Sequence, residues 1–485
     1  MQNVTMPAKT PTTALFQSFR PAISADDPHL SVLRKMIWVY FALLLAEGAL
    51  RKWLLPSLTA PLLIIRDPLV LLIYVQAIRC RRFPVNGPIA AYFLLLSSFI
   101  VLAVVQIIAG IGGGPLIAAF GIRTNFLHLP LIFVIPQVFT YADVIKLGKW
   151  TLLLSLPMAA LMIWQFMSPP DSWINAASTP DAQQIAFAMG TIRPAGTFTF
   201  ITGASQFFIL VSAFLIYGLA EPNSPYPRWL LLAALVAVLI VQPASGSRTM
   251  VLGCSLEAAA AVVFSVVNRG RAGRILVVAA LICAAFVALS FTSFFQNAIE
   301  LFLMRWNDPS GASATVALGT RILGGFTDSF ALFTEAGMLG KGLGVGTNAG
   351  SALMIGTVRF LLAESEWSRI ILEAGTILGF SFVAYRIWIA GDIALRAAAA
   401  AKQQHLLAWL LAWDACRNLI TEQFSQPTNL GFVVFVSGLC LAAIPAARAV
   451  PVAPVGRRPG QRQSPAWPAN APPAGAATAV IQNPL

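Results

Sequence analysis

Residues 88–110 read PIAAYFLLLSSFIVLAVVQIIAG, a run of 23 residues without a charged side chain. A helix needs about 20 predominantly apolar residues to cross the hydrocarbon core of a bilayer. The run therefore predicts a membrane-spanning helix, and similar runs recur along the chain. Together they predict about twelve spans, near 33–53, 58–78, 88–110, 115–140, 148–168, 199–219, 228–243, 247–267, 275–296, 366–390, 405–424 and 429–448.

The composition of the 485 residues agrees with a membrane protein, since 58% are hydrophobic and only 11% are charged. A water-soluble domain of this size would carry too few hydrated groups on its surface. The net charge of +13 is spread along the chain in short clusters. This distribution argues against nucleic acid as a partner and favours a role in membrane orientation.

The distribution of basic residues predicts the orientation of the spans. If the N-terminus is cytoplasmic, 20 of the 32 Lys and Arg residues lie in cytoplasmic connections and ten lie outside. The dense clusters at 79–82 and 269–274 carry most weight, because short basic loops stay on the cytoplasmic side. The N-terminal segment has no apolar signal-peptide core, so the first span is expected to act as the insertion signal. Both termini are predicted to be cytoplasmic.

The predicted fold is all-α and polytopic, with three parts. Residues 1–32 form a cytoplasmic tail, residues 33–449 form the transmembrane domain, and residues 450–485 form a disordered, Pro- and Ala-rich cytoplasmic tail. Two periplasmic loops are predicted, at about 169–198 and 297–365. The second, between the ninth and tenth spans, mixes aromatic residues with charges and is expected to contain helices on the membrane surface.

Charged residues within or beside the spans need a partner, because an unpaired charge in the hydrocarbon region costs several kcal/mol. We interpret them first as internal ion pairs that hold helices in register. The residues in question are Glu47 and Arg51, Arg66 and Asp67, Arg123 and His128, and Asp414 and Arg417.

A second group of charged residues lies on the predicted outer face. Arg193 opens RPAGTFTF (193–200), Arg248 lies in SGSRTM (245–250), and Arg321 lies in TRILGGFTDSF (320–330). GKGLGVG (340–346) follows, and then AESEWSRIILEAGTILG (363–379), which contains Glu364 and Glu366. Each alone is more typical of a membrane anchor or a turn. Together they oppose the positive-inside bias, and a phosphate-containing ligand would explain the arginines.

The order RPAGTF, SGSR, an Arg-led segment ending in GLGVG, and EAGTILG resembles the O-antigen polymerase and ligase superfamily of bacterial membrane enzymes. The resemblance covers about residues 190–380. It implies transfer of a glycan from a polyprenyl diphosphate carrier to a sugar hydroxyl at the periplasmic face. The acceptor is a glycan or another lipid-linked molecule, and a chain-length regulator protein is a candidate partner.

Carried over residue by residue, the resemblance implies that Arg193, Arg248 and Arg321 bind the diphosphate. Family ligases usually place His-Asn ahead of the motif at 373–379, where this chain has Glu364 and Ser365. The three histidines are His29, His128 and His405, and none lies in the large loop. We therefore expect Glu364 or Glu366 to be the general base, and the departure argues mildly against a typical ligase.

No cofactor is expected, because the first outer loop lacks the carboxylates with which other lipid-linked glycosyltransferases hold a metal. The sequence predicts a metal-independent reaction. A different class of function stays open, namely a secondary transporter or flippase for an anionic solute or lipid-linked glycan, with Arg66, Asp67 and Arg123 along its route. The lack of a two-halves repeat and the one-sided long loop favour the enzyme.

Overall fold

The computed structural model describes residues 28–177, 192–268, 270, 272–306, 332–356 and 361–445. Of these residues, 79% are helical and none forms a strand, which confirms the all-α prediction for this part of the chain. They contain seventeen α-helices: α1 Pro28–Ala49, α2 Thr59–Leu62, α3 Arg66–Arg79, α4 Gly87–Ile108, α5 Pro115–Ile122, α6 Leu131–Val138, α7 Tyr141–Met167, α8 Ile201–Ala220, α9 Arg228–Ala244, α10 Arg248–Val267, α11 Ala272–Ser290, α12 Ser293–Trp306, α13 Phe333–Ala336, α14 Asn348–Ile355, α15 Glu366–Lys402, α16 Leu406–Thr421 and α17 Pro427–Ala443.

Several of the long helices begin at side chains that cap them. Asn86 accepts a hydrogen bond from the Ile89 amide at the start of α4, and Ser247 accepts one from the Met250 amide at the start of α10. Thr140 and Asp143 form a reciprocal capping box at the start of α7. Such caps satisfy amides that have no partner within the helix, so they fix where each helix begins.

Among the described residues, eight helical segments are long and apolar enough to cross a membrane: Pro28–Leu54, Gly87–Ile108, Pro115–Val138, Tyr141–Met167, Ile201–Ala220, Arg248–Val267, Ala272–Ser290 and Glu366–Lys402. Two shorter apolar helices, Arg228–Ala244 and Pro427–Ala443, accompany them. Such a set is characteristic of a polytopic membrane protein.

Helix α8 lies at the centre of the bundle, since 94% of its most apolar window is buried. It contacts α7, α9, α10, α16 and α17. Helix α11 has the opposite environment, with 11% of its window buried, and presents exposed residues such as Leu276 and Val277. An apolar helix with so little protein around it is suited to lipid contact.

Three predicted spans differ from the observed helices. The run at 58–78 is divided into α2 and α3, which places Arg66 and Asp67 in the first turn of α3 rather than in the middle of a continuous helix. The run at 115–140 consists of α5, a π-helical turn at Arg123–Leu127, and α6. The run predicted at 366–390 extends as α15 to Lys402, with non-helical backbone at Gly375.

Helices do occur in the segment predicted as the large loop. Helix α12 begins before it and ends at Trp306, and α13 and α14 follow. The predicted tail at 450–485 lies outside the described residues, as do residues 1–27 of the N-terminal tail.

Candidate functional site

Polar side chains gather at one end of the bundle, where α1 ends and where α8, α10 and α15 begin. We call this region the site end. It comprises Lys52, Gly196, Ser247, Gln426 and Arg369, together with the residues that each of them contacts. Its members come from segments far apart in sequence, which the following contacts join.

The RPAGTF segment is fixed to α1 and α7 through Gly196. The Gly196 amide donates to Gln165 Oε1 at 2.8 Å, and the Gly196 carbonyl accepts from Lys52 Nζ at 2.6 Å. Gly196 has a φ of +60°, and a Cβ there would lie 2.5 Å from Met158 Sδ. The motif therefore requires glycine at this position. The hydrogen bonds of Gly196 fix the backbone three residues after Arg193.

The segment that carries Arg248 meets the first turns of α8. Ser247 Oγ lies 2.8 Å from Ser205 Oγ, and Arg248 is the first residue of α10. The Arg248 guanidinium lies over the Trp306 ring, 5.9 Å from its centroid, so α12 also reaches this place. Both Arg193 and Arg248 are partly buried. The structure thus brings their two segments to the start of one helix.

Glu364 is exposed and is joined to the same helix by a chain of polar groups. Its backbone carbonyl accepts a hydrogen bond from Gln423 Nε2, and Gln426 Nε2 donates to Gln423 Oε1. Thr202 in the first turn of α8 then donates to Gln426 Oε1 at 3.3 Å. The structure therefore links three of the sequence-predicted site segments to the start of α8, namely those of Arg193, Arg248 and Glu364.

Glu366 has a different environment, because its carboxylate is buried between two arginines. It accepts from Arg369 Nε at 2.9 Å and Nη2 at 2.8 Å, and from Arg386 Nη1 at 3.1 Å. Arg369 also bonds Glu373 at 2.8 Å. Two carboxylates and two guanidinium groups form a neutral network, in which both oxygens of Glu366 already accept hydrogen bonds from arginines. These contacts favour Glu364 over Glu366 as a base.

The GKGLGVG segment packs against this network instead of forming an open loop. The Gly346 amide donates to Glu373 Oε1 at 2.8 Å, and the Leu343 amide donates to Gln106 Oε1 at 2.9 Å. Gly344 approaches α5 so closely that a Cβ would lie 2.0 Å from the Ile117 carbonyl oxygen. Two backbone amides of this segment, those of Leu343 and Gly346, therefore already have partners within the protein.

A second ionic cluster lies in α16 and the connection after it. Arg417 bonds Asp414 at 2.7 Å, Glu422 at 2.8 Å and Gln206 of α8 at 2.6 Å. Arg417 keeps 14% of its side chain exposed. The Asp414–Arg417 ion pair confirms the pairing expected for these two residues.

The other internal charges also pair, although two of the pairings differ from the expected ones. Asp67 binds Arg123 through both carboxylate oxygens, at 2.6 and 2.8 Å, and also contacts His128 at 3.1 Å. Arg66 bonds Glu47 at 3.0 Å instead of its sequence neighbour Asp67. The interpretation as internal ion pairs is therefore confirmed for these residues. Arg66 and Asp67, however, pair with residues of other segments and not with each other.

Sequence reasoning missed the uncharged polar residues that connect these clusters. Gln106, Gln165 and Gln206 lie in apolar helices, and Gln106 alone bonds Leu339, Leu343 and Glu373. A glutamine in a long apolar run is the signal that the sequence offers, because a buried amide requires partners.

Arg321 lies outside the described residues. Within the described part of the chain, no three His, Cys, Asp or Glu side chains are grouped as a metal site requires.

Comparison with protein-family models gives no match to this chain, and comparison with curated proteins gives none. The resemblance to the O-antigen polymerase and ligase superfamily therefore stays a hypothesis based on the quoted motifs.

Proposed function

We propose that the chain transfers a glycan from a polyprenyl diphosphate carrier to a sugar hydroxyl of an acceptor, without a metal, at the periplasmic face of a bacterial inner membrane. The observation that carries this proposal is the meeting of the RPAGTF, SGSR and Glu364 segments at the start of α8. This start has no side-chain cap. An uncapped helix N-terminus with arginine-bearing segments around it favours an anionic group.

In the proposed reaction, the acceptor hydroxyl oxygen bonds to the anomeric carbon of the carried glycan. The bond between that carbon and the diphosphate oxygen breaks, and its electron pair leaves with the diphosphate. Arg193, Arg248 and Arg321 stabilise the charge that develops on the leaving group. The exposed carboxylate of Glu364 takes the proton of the attacking hydroxyl and passes it to water.

The topology we propose has twelve crossings, formed by α1, α3, α4, the segment α5–α6, α7, α8, α9, α10, α11, α15, α16 and α17. It places the site end in the periplasm and both termini in the cytoplasm. In a cysteine-free variant, D171C should react with a membrane-impermeant maleimide in spheroplasts, whereas N223C should react only after lysis. Equal labelling of both before lysis would contradict this orientation.

The test of activity uses purified chain in detergent with a lipid-linked oligosaccharide as both donor and acceptor. Lengthened glycan formed without any sealed vesicle supports the transferase. A transporter or flippase needs two compartments, so it would give no product in detergent and would move the lipid-linked glycan only in proteoliposomes.

A further inference from the structure

Arg51 and Lys52 are consecutive cations at the end of α1, and both are buried. They belong to a π-helical turn at Leu50–Leu54, in which the Leu55 amide donates to the Leu50 carbonyl at 2.7 Å. Arg51 is 8% exposed and Lys52 is 4% exposed. Turns of this kind occur frequently at functional sites, because the extra residue per turn changes where side chains point.

Within the part of the chain that the structure describes, these two cations have too few acceptors. Arg51 Nε is buried without a hydrogen-bond partner, and the shortest ion-pair distance of Arg51 joins Nη1 to Glu47 Oε1, at 3.6 Å. Lys52 Nζ donates one hydrogen bond, to the Gly196 carbonyl, although an ammonium group has three donors. Its other close contact is the Trp53 ring, with the centroid 4.4 Å away.

The charges around this place do not balance. Glu47 is the carboxylate that pairs with Arg51, and its other oxygen already accepts from Arg66 Nε. Among the described residues, one negative charge therefore faces the three positive charges of Arg51, Lys52 and Arg66. Asp67 does not reduce the excess, because Arg123 neutralises it. Buried cations without counterions are costly, so two positive charges call for an anion.

The tryptophans around Arg51 and Lys52 indicate that this site lies at the level of the lipid headgroups, so that the anion belongs to a lipid. The Trp53 indole donates to the Trp173 carbonyl at 3.2 Å, and Trp173 packs edge-on against Trp164 with centroids 5.6 Å apart. Tryptophans concentrate at the headgroup level of a membrane. Leu54, next to Trp53, is 68% exposed, as expected for a side chain at a lipid boundary.

We propose that Arg51 and Lys52 form a binding site for a phosphate-class anion carried by a lipid. A guanidinium edge matches two phosphate oxygens, and an ammonium with free donors matches a third. A carboxylate would provide only two oxygens and one negative charge. Lys52 also holds the Gly196 carbonyl, so the bound phosphate would lie beside the segment that follows Arg193. The site stands on burial and charge alone, whether or not the chain transfers glycans.

The test is thermal unfolding of the purified chain in phosphate-free detergent buffer, with farnesyl diphosphate, phosphatidylglycerol or inorganic pyrophosphate added. A ligand that binds the folded state raises the unfolding temperature. We expect a rise with at least one lipid phosphate, and binding about tenfold to hundredfold weaker in R51Q and K52M. The matched control K341M removes an exposed lysine that pairs with Glu335 and should keep the full response.

The ligand-free proteins give a second readout. K52M should unfold at a higher temperature than the unsubstituted chain, because it removes a buried cation without a counterion, while K52R should retain ligand binding. A larger response to farnesyl diphosphate than to phosphatidylglycerol identifies the carrier lipid, and the reverse identifies a membrane lipid. The proposal is overturned if no lipid phosphate stabilises the unsubstituted chain, or if R51Q and K52M respond as K341M does.

Discussion

Two glutamates two positions apart have opposite surroundings. Glu366 accepts three hydrogen bonds from two arginines, whereas Glu364 is exposed and contributes only its backbone carbonyl to the described contacts. The sequence places both beside the start of α15 and cannot separate them. The helical spacing of Glu366, Arg369 and Glu373 indicates that they share a face, but the partner Arg386 depends on packing within α15 and against α16.

Replacement of the two glutamates should separate stability from catalysis. E366Q leaves two buried guanidinium groups short of a counterion and should destabilise the fold by about 3–5 kcal/mol. E364Q should leave the unfolding temperature unchanged and lower glycan transfer by about 10²- to 10⁴-fold. Thermal unfolding and the detergent transfer assay measure the two effects. Unchanged stability in E366Q would contradict the structural role.

Glu257 and Asp414 are two neighbouring buried acids, and here we expect a substitution to raise stability instead of lowering it. Glu257 of α10 is 1% exposed, and neither its Oε2 nor Oδ2 of the neighbouring Asp414 has a hydrogen-bond partner. E257Q removes one acid and adds an amide that can donate to Asp414. We expect E257Q to be more stable than the unsubstituted chain by about 1 kcal/mol.

The control for this pair is D414N, which removes the carboxylate that pairs with Arg417. D414N should lose about 1.5–3 kcal/mol of stability, because the hydrogen bond from Arg417 to a charged oxygen becomes one to a neutral amide, while Glu422 still pairs with Arg417. Chemical unfolding of both variants in the same detergent measures the difference, and a loss of stability in E257Q would refute the interpretation.

At the scale of elements, the sequence predicts the helices well where apolar runs are long and uninterrupted. It does not predict the break in α15, since the run around EAGTILG is apolar on both sides. Gly375 has a φ of +76°, and a Cβ there would lie 2.2 Å from the Met338 carbonyl oxygen. The break thus depends on the close approach of the segment before GKGLGVG, which is a tertiary contact.

Substitution at this break should be costly. G375A places a side chain in a left-handed conformation and against a backbone oxygen, so we expect a loss of at least roughly 1–3 kcal/mol. G391A in the same helix is the matched control, because a Cβ there meets no atom within 4 Å. It should gain roughly 0.5–1 kcal/mol from better helix propensity. Similar unfolding temperatures for the two variants would contradict this account of the break.

For the whole molecule, the buried charges are unevenly distributed across the site end. Among the described residues, the cluster of Arg51, Lys52 and Arg66 has one carboxylate, Glu47, for three cations, whereas the Arg369 network pairs two carboxylates with two guanidinium groups.

Composition and hydropathy were sufficient to predict a polytopic helical chain, because the bilayer imposes long apolar runs. The site was predictable only in part. Its arginines stand out as charges on the less basic side, whereas the sequence gives Lys52 the pattern of an ordinary basic anchor at a helix end. The glutamines that connect the helices leave the hydropathy of their spans high, so hydropathy alone does not reveal them. The exchange of partners between Glu47, Arg66, Asp67 and Arg123 depends on how the helices pack.

The most direct test of the account measures glycan transfer in detergent by R193A, R248A and R321A, with the exposed Lys341 substituted in K341A as the matched control. We expect each arginine variant to lose about 10²- to 10³-fold in turnover while it folds normally, because each removes a donor that stabilises the departing diphosphate. K341A should transfer at the rate of the unsubstituted chain. Full activity in all three arginine variants would contradict the central claim that these arginines hold the lipid diphosphate.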